Sequence, residues 1–249
     1  MTSFLSLTGI AKTFDTGVKA LGPVDLNVQS HEFLSLVGPS GCGKSTALRV
    51  IAGLLEPTEG TVSFASGKPE TAFVFQEATM MPWANALDNA RLPLDLKGLA
   101  RGEANARAGR ALERVGLGGF EKSFPRELSG GMKMRVSIAR AIAAEPKLLL
   151  MDEPFAALDE LTRQSLNDDL LKLWREDKLT VIFVTHSVYE STYLSSRVVV
   201  MTPRPGCIAA DIALTAPENR DAHYRLSAEF TAQAAKVSAA LRDAMQAAT

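Results

Sequence analysis

Residues 38–46 read Gly38-Pro39-Ser40-Gly41-Cys42-Gly43-Lys44-Ser45-Thr46 and fit the pattern G-x-x-x-x-G-K-[ST]. Glycines let the backbone curl so that successive N–H groups point at phosphate oxygens. A helix that begins near Lys44 adds its positive N-terminal end. Lys44 is placed to reach the β- and γ-phosphates, and the Ser45 hydroxyl to ligate Mg²⁺. The stretch predicts a site for a nucleoside triphosphate with magnesium.

The sequence on both sides of this stretch favours that prediction over a chance Gly/Ser-rich turn. Residues 33–37 are typical of a buried strand, and residues 47–54 of a helix that ends near Gly53. Strand, loop and helix in this order are the context that the motif requires. We therefore interpret residues 38–46 as a phosphate loop.

The composition indicates an ordinary globular protein. Of its 249 residues, 46% are hydrophobic and 22% are charged, and the formal net charge is −1. This near-neutral balance argues against nucleic acid or an anionic lipid surface as a partner. Two cysteines make no disulfide framework, so we expect a reduced, cytoplasmic setting. We also expect Cys42, inside the phosphate loop, to be an accessible thiol.

The sequence shows no segment that would enter a membrane. Residues 1–4 lack a charged start followed by the apolar core of a signal peptide. No apolar run approaches the roughly 20 residues that cross a bilayer. If the protein works at a membrane, we expect another chain to hold it there.

A second stretch with chemistry is the apolar run of residues 148–151, which ends in Asp152 and Glu153. A short continuous apolar run is typical of a strand buried on both faces, and ligands of open parallel sheets lie at the strands' C-terminal ends. There Asp152 can hold Mg²⁺ and Glu153 can activate water against the γ-phosphate. The alternative is a charged exit from the strand. The phosphate loop in the same chain favours the catalytic interpretation.

Two further strands end in polar side chains. Residues 181–184 lead to His186, and residues 72–75 lead to Gln76. A lone histidine is usually structural, but His186 also lies at a strand's C-terminal end and can contact the γ-phosphate there. From about residue 88 to residue 146 the pattern is helical, and Ser129-Gly130-Gly131 opens a helix within it. The serine is a plain N-cap, and the same helix start is a second anion-binding terminus.

Two aromatic features stay open. Phe14 either stacks on an adenine ring or closes the core of a small N-terminal sheet. Residues 80–83, Met80-Met81-Pro82-Trp83, form either the inside of a subdomain or an exposed docking surface, since flexible methionine and amphipathic tryptophan suit both.

We expect an α/β fold, a P-loop NTPase core with a mostly parallel sheet, an N-terminal antiparallel β subdomain and an inserted helical subdomain. Residues 1–87 and 147–215 are expected to form the nucleotide-binding core, and residues 88–146 the helical subdomain. Residues 216–249 are expected to form a helical tail, to which no chemistry is assigned.

Taken together, the motifs resemble the ATP-binding subunit of ABC transporters from Phe4 to about Leu214. The specific element is Leu128-Ser129-Gly130-Gly131-Met132, which resembles the signature sequence of that family. The resemblance implies that Phe14 stacks on adenine, that Gln76 senses Mg²⁺ and the membrane partner, and that Asp152 is a Mg²⁺-site acid. It implies that Glu153 is the general base, His186 the γ-phosphate switch, and Ala157-Leu158-Asp159 the loop that crosses to the opposite subunit.

Three residues depart from the family's pattern. Met132 replaces the commoner glutamine, and Phe14 replaces the commoner tyrosine without losing the stacking face. His31 stands where a glycine usually precedes Glu32, so we expect strain in that turn.

The resemblance also implies partners. Two copies would face each other head to tail, with ATP between one phosphate loop and the other copy's residues 129–131. An integral membrane permease would hold the dimer at the cytoplasmic face of the membrane, and a periplasmic or extracellular solute-binding protein would act indirectly. No nucleic acid is implied. Whether the partner is identical or a related ATPase stays open.

Residues 81–83, 92–94 and 201–206 resemble the importer group for nitrate, sulfonates and taurine, which includes carriers of thiamine precursors. The cargo itself is not readable from this subunit. Two other functions stay open: a soluble ABC ATPase that acts on nucleic acid or ribosomes, and a nucleotide-switch subunit of a non-transport membrane complex.

Overall fold

The computed structural model describes residues 3–217 and 220–247. Along the chain the elements are β1 (Ser3–Thr13), β2 (Lys19–Gln29), β3 (Phe33–Val37), α1 (Lys44–Ala52), β4 (Glu59–Phe64), β5 (Thr71–Val74), α2 (Ala86–Leu96), α3 (Arg101–Arg114), α4 (Gly130–Ala143), β6 (Leu148–Asp152), α5 (Glu160–Glu176), β7 (Thr180–Thr185), α6 (Val188–Leu194), β8 (Arg197–Met201), β9 (Ile208–Ala213), α7 (Ala222–Arg225) and α8 (Ala228–Gln246).

Contacts divide the chain into two compact units. The first comprises Met1–Pro69 with Lys178–Thr249, and the second Glu70–Asp177. The predicted domains begin and end at other residues, and they stay a prediction. Their residues 1, 2, 218, 219, 248 and 249 lie outside the described residues.

The first unit contains an antiparallel sheet in the order β2-β1-β4. β2 alternates between exposed and buried residues, with Val24, Leu26 and Val28 inside. This is the period-2 pattern of a sheet that buries one face. The predicted N-terminal antiparallel sheet is confirmed.

The same unit contains the strands β7-β3-β8-β9, of which β9 is antiparallel and the others are parallel. Every residue of β3 and β7 is buried, as continuous apolar runs predict. α8 covers this sheet through Val237 and Ala244, which join a cluster with Val37, Val198 and Ile212. The predicted mostly parallel α/β arrangement is confirmed.

The turn between β2 and β3 has the expected strain. His31 lies in the left-handed region with φ 63°, a conformation that a side chain disfavours. Its backbone N–H donates to Thr180 Oγ1 at 3.0 Å, which anchors the turn to β7.

The second unit contains the parallel pair β5 and β6 with helices α2 to α5. α2 begins at Ala86, close to residue 88 where the helical pattern of the sequence begins, and the Asn85 side chain accepts a hydrogen bond from the Asp88 N–H. α3 buries an apolar face that includes Ala108, Ala111 and Leu112. None of the helices in the described part of the chain combines the length and the hydropathy that a membrane span requires.

Candidate active site

The phosphate loop connects β3 to α1 and closes around the Lys44 side chain. Lys44 is only 4% exposed, and its Nζ donates to the carbonyls of Gly38 at 2.8 Å and Pro39 at 3.0 Å. These two hydrogen bonds hold the ammonium against the loop. The arrangement fixes a positive charge where the sequence predicts phosphate groups.

Glycine is required at two positions of this loop. Gly41 has φ 74° and Gly43 has φ 107°, both in the region that residues with side chains disfavour. At Gly43 a Cβ would also lie 2.7 Å from the Ala20 carbonyl oxygen of β2. The loop therefore takes a curvature that only these glycines allow.

The first turn of α1 supplies N–H groups that have no acceptor within the helix. The N-cap is Gly43, which has no side chain that could cap the helix. Ser45 and Thr46 are half-buried in the first turn. The positive end of the helix dipole lies at the same place. This combination favours an anion.

Cys42 is not the accessible thiol that its loop position predicts. It is 1% exposed, and its Sγ would lie 2.9 Å from a Cβ placed on Gly38, so the side chain turns beneath the loop. Burial raises the pKa of the thiol, against the lowering effect of the nearby Lys44 charge.

Slow alkylation of Cys42 is the expected consequence, because the thiolate is the reacting species and the raised pKa keeps its fraction low near neutral pH. In single-cysteine proteins at pH 7.5, we expect a maleimide to label Cys42 several-fold more slowly than the half-buried Cys207. The Cys42 rate should rise as the pH approaches its raised pKa. Faster labelling of Cys42 at pH 7.5 would contradict the buried geometry.

His186 follows the strand next to the one that leads into the phosphate loop. β3 and β7 are parallel, with Val37 opposite Thr185, so Gly38 and His186 leave the same edge of the sheet at matched positions. His186 is exposed. The structure thus brings these two predicted residues to one edge.

Phe14 lies at the exposed tip of the hairpin between β1 and β2. Phe14 is 39% exposed, with Lys12 Nζ 5.7 Å from its ring centroid, so it does not fill the core of the sheet. The hairpin's second strand touches the phosphate loop, where Ala20 faces Gly43. The tip therefore carries a stacking surface on an element in contact with that loop.

In the second unit, three predicted residues share a strand edge. β5 and β6 are parallel, with Val74 opposite Met151, so Gln76 and the Asp152-Glu153 pair follow neighbouring strand ends. Asp152 is buried and Gln76 is exposed. Glu153 has φ 47°, which sequence reasoning did not anticipate. Such strained non-glycine residues cluster at functional sites.

The signature segment caps α4 as predicted. The Ser129 side chain accepts a hydrogen bond from the Met132 N–H at 3.2 Å. Ser129 and Gly130 are exposed, while Gly131 packs so closely on α5 that a Cβ would lie 2.5 Å from Thr162 Cγ2. The loop of residues 157–159 lies alongside, with Leu158 Cδ2 3.8 Å from a Cβ placed on Gly130.

Asp159 ends that loop and caps α5. Its carboxylate accepts a hydrogen bond from the Thr162 N–H at 3.0 Å, and this bond lowers the pKa of Asp159. The carboxylate is therefore charged at neutral pH, next to the exposed signature helix start.

The segment of residues 80–83 lies at the surface, and two residues that sequence reasoning missed hold it and the residues directly before it. Trp83 is 77% exposed. Asn89 of α2 is fully buried and brackets Met81, accepting from its N–H at 2.8 Å and donating to its carbonyl at 3.2 Å. Arg140 of α4 donates to the carbonyls of Ala78 and Thr79, both at 3.0 Å. The sequence signal that could have found Asn89 was a polar residue on the apolar face of α2.

Comparison with known proteins finds an ABC transporter family model and relatives that are described as ATP-binding proteins. A family model described as ABC transporter matches residues 21–156. An uncharacterized ABC transporter ATP-binding protein of Methanocaldococcus jannaschii is 47% identical over 244 residues, covering 96% of this chain and 90% of that protein. An aliphatic sulfonates import ATP-binding protein of Pseudomonas savastanoi pv. phaseolicola is 44% identical over 218 residues, covering 88% of this chain and 89% of that protein.

A taurine import ATP-binding protein of Sinorhizobium fredii is 46% identical over 198 residues, covering 77% of this chain and 74% of that protein. Among solved structures, the dimeric post-hydrolysis state of an ATP-binding cassette bound to ADP and Pi is similar, with a TM-score of 0.76 and 34% identity. The match covers 86% of this chain and all of that one.

Proposed function

The chain belongs to the ABC transporter family, and from this premise we propose that it is the ATP-hydrolysing subunit of an importer. It energises uptake of a small solute through a separate membrane permease. The relatives named for aliphatic sulfonates and taurine favour a sulfonate- or taurine-like solute, and the nitrate and thiamine-precursor members of the group are the next candidates. The phosphate loop closed on Lys44 is the observation that carries the proposal.

ATP is the substrate in this proposal. Phe14 stacks on the adenine ring, and residues 38–46 bind the phosphates through backbone N–H groups and the Lys44 ammonium. The fixed cation and the first turn of α1 support this assignment, because both favour a polyanion.

The side chains predicted to bind Mg²⁺ carry the donor types that this ion prefers. Ser45 and Asp152 offer a hydroxyl and a carboxylate, with Gln76 as a third oxygen donor, and Mg²⁺ prefers such hard ligands together with substrate phosphates. Among the described residues, no group of three or more His, Cys, Asp or Glu side chains forms a metal cage by itself. When bound, the ion neutralises charge on the transferring phosphoryl group.

Glu153 acts as the general base. Its carboxylate takes a proton from the water that attacks the γ-phosphorus, and the products are ADP and inorganic phosphate. Lys44 stabilises the charge on the phosphoryl oxygens. His186 donates a hydrogen bond to the γ-phosphate and so responds to its presence. Its exposed position at the edge that carries the phosphate loop supports this role.

We propose that a second copy of this chain completes each site. Its exposed helix start at Ser129-Gly130-Gly131 binds the γ-phosphate from the opposite side, and residues 157–159 cross between the subunits. The similar solved cassette is described as dimeric and bound to ADP and Pi, which supports this arrangement.

The surface of residues 80–83 receives the permease, and this contact holds the subunit at the cytoplasmic face of the membrane. A solute-binding protein outside that membrane acts through the permease, and nucleic acid has no part. Trp83 is an exposed tryptophan on a segment that Asn89 holds at Met81 and that Arg140 anchors through the preceding Ala78, which suits a protein contact.

Co-purification tests this proposal. We expect the tagged protein, extracted from membranes of its source cells in mild detergent, to retain an integral membrane protein with several spans. A charge in place of the tryptophan is costly to bury, so Trp83→Glu should lower its recovery about tenfold. Leu226→Glu, at another exposed apolar residue, should leave recovery unchanged. Recovery of ribosomes or DNA instead, or equal recovery with Trp83→Glu, would contradict the proposal.

A further inference from the structure

The connection between β8 and β9 packs against the outside of the phosphate loop. We call residues 202–207 the brace loop. A Cβ on Gly206 would lie 1.9 Å from the Cys42 carbonyl oxygen, and one on Gly38 would lie 3.0 Å from the Met201 carbonyl oxygen. The backbone of the brace loop therefore lies against Cys42, and the end of β8 lies against Gly38.

Arg204 makes a third contact, at the exposed tip of the phosphate loop. Its Nε donates to the Gly41 carbonyl oxygen at 3.1 Å, and its Nη2 donates to the same oxygen at 3.0 Å. Both bonds are charge-assisted, and such bonds are stronger than neutral ones. They hold Gly41 at φ 74°, although glycine can adopt many other backbone conformations.

The bonded carbonyl belongs to the peptide unit that links Gly41 to Cys42. At the other side of this unit, the Cys42 N–H donates to the Pro39 carbonyl at 3.3 Å. Since the peptide unit is planar, fixing both groups fixes its orientation. Arg204 therefore sets the orientation of the peptide at the middle of the phosphate loop.

The brace loop is itself held firmly. Thr202 Oγ1 donates to the Pro205 carbonyl at 3.1 Å and accepts from the Cys207 N–H at 2.9 Å. The Gly206 N–H donates to the Ala20 carbonyl of β2 at 3.0 Å. A rigid support of this kind gives the Arg204 guanidinium a defined position.

We propose that Arg204 is a positioning residue for nucleotide binding, which orients the Gly41–Cys42 peptide of the phosphate loop before the triphosphate arrives. The inference rests on the proposed function, since it assumes that this loop binds ATP. Preorganisation of this kind lowers the cost of ordering the loop and so strengthens binding. The planar fork of arginine reaches one oxygen with two N–H groups, whereas lysine supplies a point charge.

Nucleotide affinity and turnover in purified variants test the proposal. We expect Arg204→Gln to raise the Kd for both ATP and ADP about tenfold, with kcat at saturating ATP within about twofold of wild type. Arg204→Lys keeps the charge but lacks the planar fork, so its Kd should lie between those of wild type and of Arg204→Gln. Arg242→Gln, at an exposed arginine of α8, is the matched control and should bind as wild type does.

Amide hydrogen exchange in nucleotide-free protein is a second test, because it measures directly how well the phosphate loop is ordered. Residues 38–46 should exchange faster in the Arg204→Gln protein than in the Arg242→Gln protein. If the glutamine variant does not fold, Arg204→Lys is compared with wild type in the same way.

The proposal is overturned by unchanged affinity and exchange in Arg204→Gln, by full recovery of affinity in Arg204→Lys, or by a loss of kcat alone. If the wild type binds no ATP, the proposed function fails, and the exchange comparison still decides whether Arg204 orders the loop.

Discussion

Replacing Glu153 by glutamine is expected to lower ATP hydrolysis by about 10²- to 10⁴-fold while ATP binding persists. The amide has nearly the same shape but cannot accept the proton of the attacking water. It also carries no charge, so it repels the triphosphate less than the carboxylate does. ATP should therefore accumulate uncleaved on the protein.

The same variant should convert ATP into a lasting link between two copies. In the proposed dimer each ATP is bound by both subunits, and only its cleavage releases them. Light scattering should show a dimer with ATP and a monomer without it. Glu113→Gln, at an exposed glutamate of α3, serves as the control and should hydrolyse ATP normally. A Glu153→Gln protein that stays monomeric and active would remove Glu153 from the proposed role.

Replacing Lys44 by alanine is expected to weaken ATP binding about 100-fold, or about 2.7 kcal/mol. The change removes a buried ammonium that the Gly38 and Pro39 carbonyls hold in place, together with its charge-assisted bonds to phosphate oxygens. Hydrolysis and ATP-dependent dimerisation should both be lost as a result.

Isothermal titration with ATP measures the Lys44→Ala effect directly. Lys236→Ala, at an exposed lysine of α8, is the control for general charge loss and should bind ATP as wild type does. Thermal unfolding of both variants identifies any loss of folding. Wild-type affinity in a folded Lys44→Ala protein would rule out the phosphate-loop interpretation.

The regular elements around the site could be predicted closely because their sequence patterns are local. The apolar run of residues 33–37 is observed as β3 at the same residues, and Gly53 ends α1 in the left-handed conformation that a helix end requires. Ser129 caps α4 for the same local reason: its hydroxyl reaches an N–H three residues ahead.

Side-chain direction in the loops could not be predicted in this way. The motif places Cys42 in the phosphate loop but does not determine that its sulfur turns beneath it, which made the expected accessible thiol wrong. Sequence also left residues 80–83 open between core and surface. The outcome depends on Asn89, whose side chain holds Met81 while Trp83 stays outside.

Contacts between residues far apart in sequence could not be predicted from the sequence either. Arg204 and Gly41 are 163 residues apart in sequence, and no periodicity relates them. Their bond exists because β8 lies beside β3 in the sheet, which brings the connection after one strand to the loop after the other. Such pairs follow from tertiary packing alone.

The parallel pairing of β3 with β7 bears on the role proposed for His186. Val37 and Thr185 are register partners on strands spaced by about 4.8 Å, so the backbones on either side of this ladder move together. This pairing holds the backbone up to Thr185, directly before His186, beside the strand that leads into the phosphate loop. In the proposed function, we therefore expect His186 to respond to the terminal phosphate by rotation about its side-chain bonds.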